Sequence, residues 1–231
     1  MNFNDKVAVV TGANRGLGKE IARGLLNAGM QVVITGRDLP ELRRVAQGLG
    51  GSVSAFRLDV ANEESVKLFG NYMMENFQAV DVLVNNAGIM GHDSMASFNI
   101  AELELCMNTN FYGAVRVTGV LMPLLTRSND TRIINISSIM GSKDYLLGGN
   151  GSYRISKWAL NGFTVQLANE LRNTKIKVFA VHPGWVQTDM GGPGAHHTVE
   201  QGADTPVWLA TTDINELETG WFYSERRKIS Y

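Results

Sequence analysis

The start of the chain constrains the fold more than any other stretch. A valine-rich run, Lys6-Val-Ala-Val-Val10, passes directly into Thr11-Gly-Ala-Asn-Arg-Gly-Leu-Gly18. An amphipathic stretch over 16–30 follows, then a second apolar run over 31–35. Strand, glycine turn, helix and strand make a βαβ unit, which is built on parallel strands with a right-handed crossover. The pattern then repeats. Further strands are expected at 52–58, 81–84, 132–137, 176–182 and 220–223, and helices at 39–49, 63–77, 100–126 and 153–173. The strands are apolar at almost every position, as they must be when helices cover both faces of a sheet. The pattern predicts an α/β fold: one doubly wound domain over residues 1–231, with about seven parallel strands in the order 3-2-1-4-5-6-7. The glycine-rich loops at 148–151 and 191–194 are too short to divide domains.

Composition removes several function classes. The formal net charge is -1, with 44% hydrophobic and 19% charged residues. Such a chain has no basic excess to hold a polyanion, so nucleic acid is not an expected partner. The single cysteine, Cys106, can form no internal disulfide, and no Cys/His spacing suggests a metal site. Cys106 is expected to pack in a helix. Residues 1–6 lack the features of a signal peptide, and no apolar run is long enough to span a bilayer. The expectation is a cytoplasmic protein without a membrane partner.

Ligands of an open α/β sheet bind beyond the carboxyl ends of its strands. The turn after the first strand supplies Gly12, Asn14, Arg15, Gly16, Leu17 and Gly18. Its glycines permit close backbone approach, and the helix that follows presents N–H groups to an anion. A dinucleotide pyrophosphate suits that position. The second strand ends in Thr35-Gly36-Arg37. An NAD site usually places an acid there; Gly36 has none, and Arg37 and Arg15 offer two guanidinium groups to a 2′-phosphate. The expected cofactor is therefore NADPH/NADP+, with Asp38 partly offsetting the arginines. Asp59, followed by Val60, can accept from an adenine amino group or serve as a turn residue. Asn86, Ala87 and Gly88 leave room for an adenosine, with an Asn amide to hold backbone or ribose.

Tyr153 and Lys157 lie four residues apart at a helix start, on one face. An ammonium near a phenol favours its ionised form and suits the pair to acid/base work at a carbonyl or alcohol oxygen. Asn135-Ile-Ser-Ser138 ends the fifth strand at the same edge. Either Ser137 or Ser138 can donate to a substrate oxygen, and Asn110 can hold a water. Pro183, Gly184, Val186 and Thr188 leave the sixth strand where a nicotinamide carboxamide and phosphates would lie. His182, beside a proline at a strand end, is read as structural.

In order and spacing these motifs resemble the short-chain dehydrogenase/reductase family over nearly the whole length, from Lys6 to about Tyr223. The resemblance rests on residues 11–18, Asn85-Asn-Ala-Gly88, Asn110, Ser138, Tyr153-x-x-x-Lys157 and Pro183-Gly184. It implies a Rossmann-type sheet and hydride transfer with NAD(P). It also implies roles: Tyr153 as acid/base, Ser138 orienting the carbonyl, Lys157 binding the nicotinamide ribose and lowering the tyrosine pKa, and Asn110 holding a relay water. His182-Pro-Gly-Trp-Val-Gln-Thr-Asp-Met-Gly-Gly192 and Gly220-Trp-Phe-Tyr223 are similar to the carbonyl-reductase-like branch, whose NADPH preference Arg15 and Arg37 match. Monomeric carbonyl reductases carry a long insertion between the serine and the tyrosine. Here the joining loop is short, so a homodimer or homotetramer through the Asn110 and Tyr153 helices is expected.

The substrate implied is a small ketone or aldehyde. Its wall is expected from 91–97, 143–150 and 191–198, with Met90, Met95, Met140, Tyr145, Leu146, Leu147, Trp185 and Met190 either lining it or packing in the core. Two other readings are an NAD-linked alcohol dehydrogenase, which the missing acid at Gly36 opposes, and a non-catalytic NADPH-binding regulatory protein, which has no need of a proton relay.

Overall fold

The computed structural model describes residues 3–231. Seven strands run parallel: β1 (Val7–Val10), β2 (Gln31–Gly36), β3 (Val53–Arg57), β4 (Val82–Asn85), β5 (Thr131–Ile136), β6 (Ile176–Val181) and β7 (Phe222–Ser224). An eighth, β8 (Arg227–Ile229), pairs antiparallel with β7. The order is β3-β2-β1-β4-β5-β6-β7-β8. The chain reverses direction of travel between β1 and β4, and a crevice opens at their carboxyl ends.

Successive strand residues point to opposite faces, and each face has its own core. Val9, Leu83 and Ile133 pack with Phe69 of α3 (Glu63–Asn76) and Leu121 of α5 (Gly113–Leu125). Val10, Val84 and Ile134 pack with Ile21 of α1 (Gly16–Asn27), Leu42 of α2 (Leu39–Leu49) and Leu209 of α7 (Val199–Thr211). Each such side chain contributes about 1.5–3 kcal/mol by leaving water. A one-residue slip in strand pairing would exchange the two rows, so the register is strongly specified. That register fixes which residues reach the carboxyl edge.

Three features depart from expectation. The helix expected over 100–126 is broken into α4 (Ile100–Met107), a π turn (Asn108–Tyr112) and α5. The wide turn carries Asn110 inward to bonds with Ile89 and Ser156. Helix α7 lies where no helix was expected; its start is a capping box, with Thr198 and Gln201 satisfying each other's backbone N–H groups. The strand expected over 220–223 continues into a hairpin. Its loop residues Glu225 and Arg226 both have positive φ, 48° and 59°, as a type I′ loop requires.

Candidate active site

A cleft of about 1540 Å³ runs along the carboxyl edge. Gly12, Asn14 to Gly18, Arg37, Asp59, Val60, Asn86 to Gly88, Ser138, Tyr153, Lys157, Pro183, Gly184, Val186 and Thr188 all line it. Asn110 does not; it lies behind the wall and is buried.

The glycine turn is shaped first by its own packing. Gly12 has a φ of +64°, and a Cβ there would lie 2.9 Å from the Ala87 Cα. A Cβ on Gly18 would lie 2.4 Å from Asn86 Nδ2 and 2.5 Å from the Gly12 carbonyl oxygen. Thr11, the first residue of the motif but given no role from sequence, ties turn to strand: its Oγ1 accepts from the Asn86 and Ala87 N–H groups at 2.9 and 3.0 Å. Asn86 Nδ2 in turn donates to the Thr11 and Gly12 carbonyls at 2.8 and 3.1 Å. Asn86 therefore holds backbone rather than ribose. At the start of α1, Arg15 makes no side-chain capping bond and the first turn contains no acid. That end of the helix faces the cleft without a carboxylate of its own, which fits an anionic ligand.

Three arginines surround the outer end of the cleft. Arg37 follows β2, and Arg57, the last residue of β3, is the register partner of Gly36 and donates from Nε to the Arg37 carbonyl at 3.2 Å. Arg57 was missed in the sequence; the strand order alone would have placed it beside Gly36. Arg15 differs. Its guanidinium pairs with Asp189 at 2.7 Å, both side chains being 73% exposed, so the pair contributes little energy. It reaches across to the segment after β6, where Thr188 packs against Gly16. Asp38 is occupied as the N-cap of α2, accepting from the Glu41 N–H at 3.0 Å. Asp59 accepts from the Ala61 N–H at 3.0 Å, a turn bond, while lining the cleft.

Tyr153 and Lys157 sit in the first two turns of α6 (Gly151–Glu170), both buried. The Ser138 hydroxyl stands beside the Tyr153 phenol. Burial pushes the phenol up to about 12, and the neighbouring Ser138 hydroxyl opposes that rise. Burial pulls Lys157 down to about 8. Its Nζ donates to the Ile136 carbonyl at 2.8 Å and stands 5.7 Å from the Tyr153 ring centroid. Ser137 is committed elsewhere: its hydroxyl donates to Asn161 Oδ1 at 2.6 Å, which leaves Ser138 as the serine facing the tyrosine. Asn110 uses its side chain as a brace. Oδ1 accepts from the Ile89 N–H at 2.8 Å, and Nδ2 donates to the Ile89 carbonyl and the Ser156 hydroxyl at 2.9 Å each. His182 lines the cleft, and its buried Nδ1 has no partner among the described residues. Burial, with His197 nearby, pulls it down to about 4.

Beyond the tyrosine, Met90, Met140, Trp185 and Met190 line the cleft. Met95, Tyr145, Leu146 and Leu147 do not line it; they are exposed rather than packed in the core. Cys106 is wholly buried in α4, and burial pushes its thiol up to about 11.

Comparisons with known proteins agree with this arrangement. The profile of the family described as short chain dehydrogenase matches residues 6–198. A relative from Arabidopsis thaliana, (+)-neomenthol dehydrogenase, is 30% identical, covering 96% of this chain and 97% of its own. Carbonyl reductase (NADPH) 1 from Bos taurus is 30% identical over the full length of both. Among solved structures, the NADPH-bound carbonyl reductase from chicken fatty liver superimposes with a TM-score of 0.88 at 27% identity, covering 99% and 100% of the two chains. The chain belongs to the short-chain dehydrogenase/reductase family of oxidoreductases and is carbonyl-reductase-like. The alignment to the Arabidopsis relative runs over 288 positions against 231 residues here, so that relative holds residues this chain lacks.

Proposed function

We propose that this protein reduces ketone or aldehyde carbonyls to alcohols with NADPH, Tyr153 being the proton donor. The observation that carries the reading is the convergence of buried Tyr153 and Ser138 on one cleft wall, with Lys157 one helical turn away. The glycine turn and the uncapped start of α1 would hold the pyrophosphate, Arg37 and Arg57 the 2′-phosphate, and Lys157 the nicotinamide ribose. The segment from Pro183 to Thr188 would close over the other side. When bound, the dinucleotide would supply a hydride for the carbonyl carbon.

The chain's own residues do the rest. Ser138 and Tyr153 hold the carbonyl oxygen between two hydroxyls, and Tyr153 gives its proton to that oxygen as the C–O double bond becomes single. Ser138 stabilises the developing negative charge by hydrogen bonding, and the Lys157 ammonium adds its field. The Lys157 side chain returns a proton to the phenolate. Because the Asn110 side chain is fully engaged, a relay water would rest on main-chain carbonyls that the π turn takes out of the regular ladder. The methionines and Trp185 accommodate an apolar substituent of variable shape.

The similarity to the Bos taurus carbonyl reductase (NADPH) 1 and to the NADPH-bound chicken carbonyl reductase supports both the carbonyl substrate and NADPH. The test is Tyr153→Phe. Turnover of activated ketones and aldehydes is expected to vanish while NADPH binding, read by fluorescence, stays near the wild-type value. Near-normal turnover would sink the assignment.

A further inference from the structure

The helix that carries Tyr153 and Lys157 receives no side-chain bond from its own N-cap. Asn150 adopts a left-handed conformation, φ 55°, and makes no side-chain capping bond. A helix start has orphan N–H groups that require acceptors. Here they come from the loop that leaves β4. Asp93 lies 59 residues away in sequence; its Oδ1 accepts from the Ser152 N–H at 3.0 Å and its Oδ2 from the Ser152 hydroxyl at 2.6 Å. The Asp93 carbonyl accepts the Gly151 N–H at 3.1 Å. Asp93 is 9% exposed and Ser152 fully buried. The two segments also touch: a Cβ on Gly151 would lie 2.4 Å from Met95 Cγ. Met90 and His92 of the same loop line the cleft beside Tyr153.

We infer that Asp93 is a positioning residue for Tyr153, capping the tyrosine's helix from the substrate-side loop and so fixing where the phenol stands. The inference rests on Tyr153 being the proton donor. A carboxylate suits the task twice over. Both of its oxygens accept at once, and its charge faces a helix N-terminus, where negative charge is favourable. Tyr153 follows Ser152 directly, whereas Ser138 is anchored separately, at the end of β5, by its bond from the Met140 N–H at 3.2 Å. Fraying of the first turn therefore shifts one hydroxyl against the other. A displacement of about 1 Å between reacting groups can cost about a hundred-fold in rate.

The experiment compares Asp93→Ala and Asp93→Asn in the full chain. It reads hydrogen exchange over residues 150–157, affinity for NADPH, and kcat and KM for a reducible ketone. Asp93→Ala is expected to speed exchange in the first turn by roughly ten-fold. It is expected to lower kcat by a similar factor, with NADPH affinity within two-fold of wild type. Asp93→Asn keeps one acceptor for the Ser152 N–H and offers an N–H to the Ser152 hydroxyl, so it should restore most of kcat. A kcat within two-fold of wild type in Asp93→Ala, or no recovery in Asp93→Asn, would overturn the inference. If Asp93→Ala does not fold, Ser152→Ala, which removes only the Oδ2 bond, decides it: a several-fold drop in kcat supports the inference and an unchanged kcat overturns it. A wild-type protein that reduces no carbonyl would instead defeat the proton-donor reading. Exchange in Asp93→Ala still tests the cap in that case, and unchanged protection would overturn it independently.

Discussion

Arg37→Ala separates a phosphate site from a merely basic rim. Arg37 lies exposed at the end of β2, lines the cleft, and follows a residue with no side chain to repel an anion. A hydrogen bond between a guanidinium and a phosphate contributes about 1.5–3 kcal/mol. Exposure places Arg37 at the lower end, about 1.5 kcal/mol, which is roughly ten-fold in Kd for NADPH. Arg57 remains beside it and keeps the loss from growing further. NADH lacks the phosphate, so its affinity should change less than two-fold. The expected result is therefore a collapse of the preference rather than a general weakening. Fluorescence titration of both nucleotides measures it directly. The gap between wild type and variant should shrink as salt rises past about 0.1 M, where screening acts over about 10 Å. Arg15→Ala serves as the comparison, because that guanidinium is already engaged with Asp189. Equal losses for NADPH and NADH, or none for NADPH, would refute the assignment of Arg37 to a 2′-phosphate.

Two further outcomes are expected. Gly18→Ala drives a methyl into Asn86 and the Gly12 carbonyl, at 2.4 and 2.5 Å, where neither neighbour can retreat without moving the turn; overpacking of this kind costs about 1–3 kcal/mol and should lower Tm by several degrees, an unchanged melting curve showing that the turn yields. Lys157, pulled down to about 8 by burial, is cationic only below that pH while Tyr153 keeps its proton far higher, so kcat/KM for carbonyl reduction should fall as pH rises through about 8. Over the same range the unfolded lysine, which titrates near 10.4, binds more protons than the folded one, so the Lys157 contribution to stability rises with pH between about 8 and 10. A rate profile flat to pH 10 would remove Lys157 from the proton relay.

The sheet was legible because its strands are short, uniformly apolar and separated by helical periods, and because a parallel strand pair allows few connections. Two of the three features that escaped share a cause: each is stabilised by a residue distant in sequence. The β7–β8 hairpin has Glu225 and Arg226 where a sequence reader looks for Asn-Gly. Those unfavourable backbone conformations stand because Arg226 is held by the Asp204 carboxylate and its N–H by the Thr205 hydroxyl, both on α7. The π turn looks like ordinary helix in sequence; it is drawn in by Ile89 and Ser156. Helix α7 is the exception, since Thr198 and Gln201 stand three apart and announce a capping box on their own.

At the site, the residues singled out by motif line one cleft, Asn110 excepted. Asn86 was expected to hold backbone or ribose and Asn110 a water; both side chains bond backbone, and Asn110 bonds the Ser156 hydroxyl as well. The reason lies in the carboxyl edge itself. Where strands end and the chain turns irregularly, N–H and C=O groups lose their ladder partners, and a buried backbone group left alone is costly. An asparagine, with donors and an acceptor on one short stem, satisfies both kinds at once. Thr11 does the same with a single oxygen. The cleft is thus lined by glycines and backbone that come near a ligand only because asparagine, threonine and aspartate side chains behind them have taken up the unpaired groups. Asp93 belongs with these: it completes the start of α6 as Asn86 completes the glycine turn. Sequence spacing marks residues that line the cleft, whereas those that hold them in place become visible only once the register and the loop paths are known.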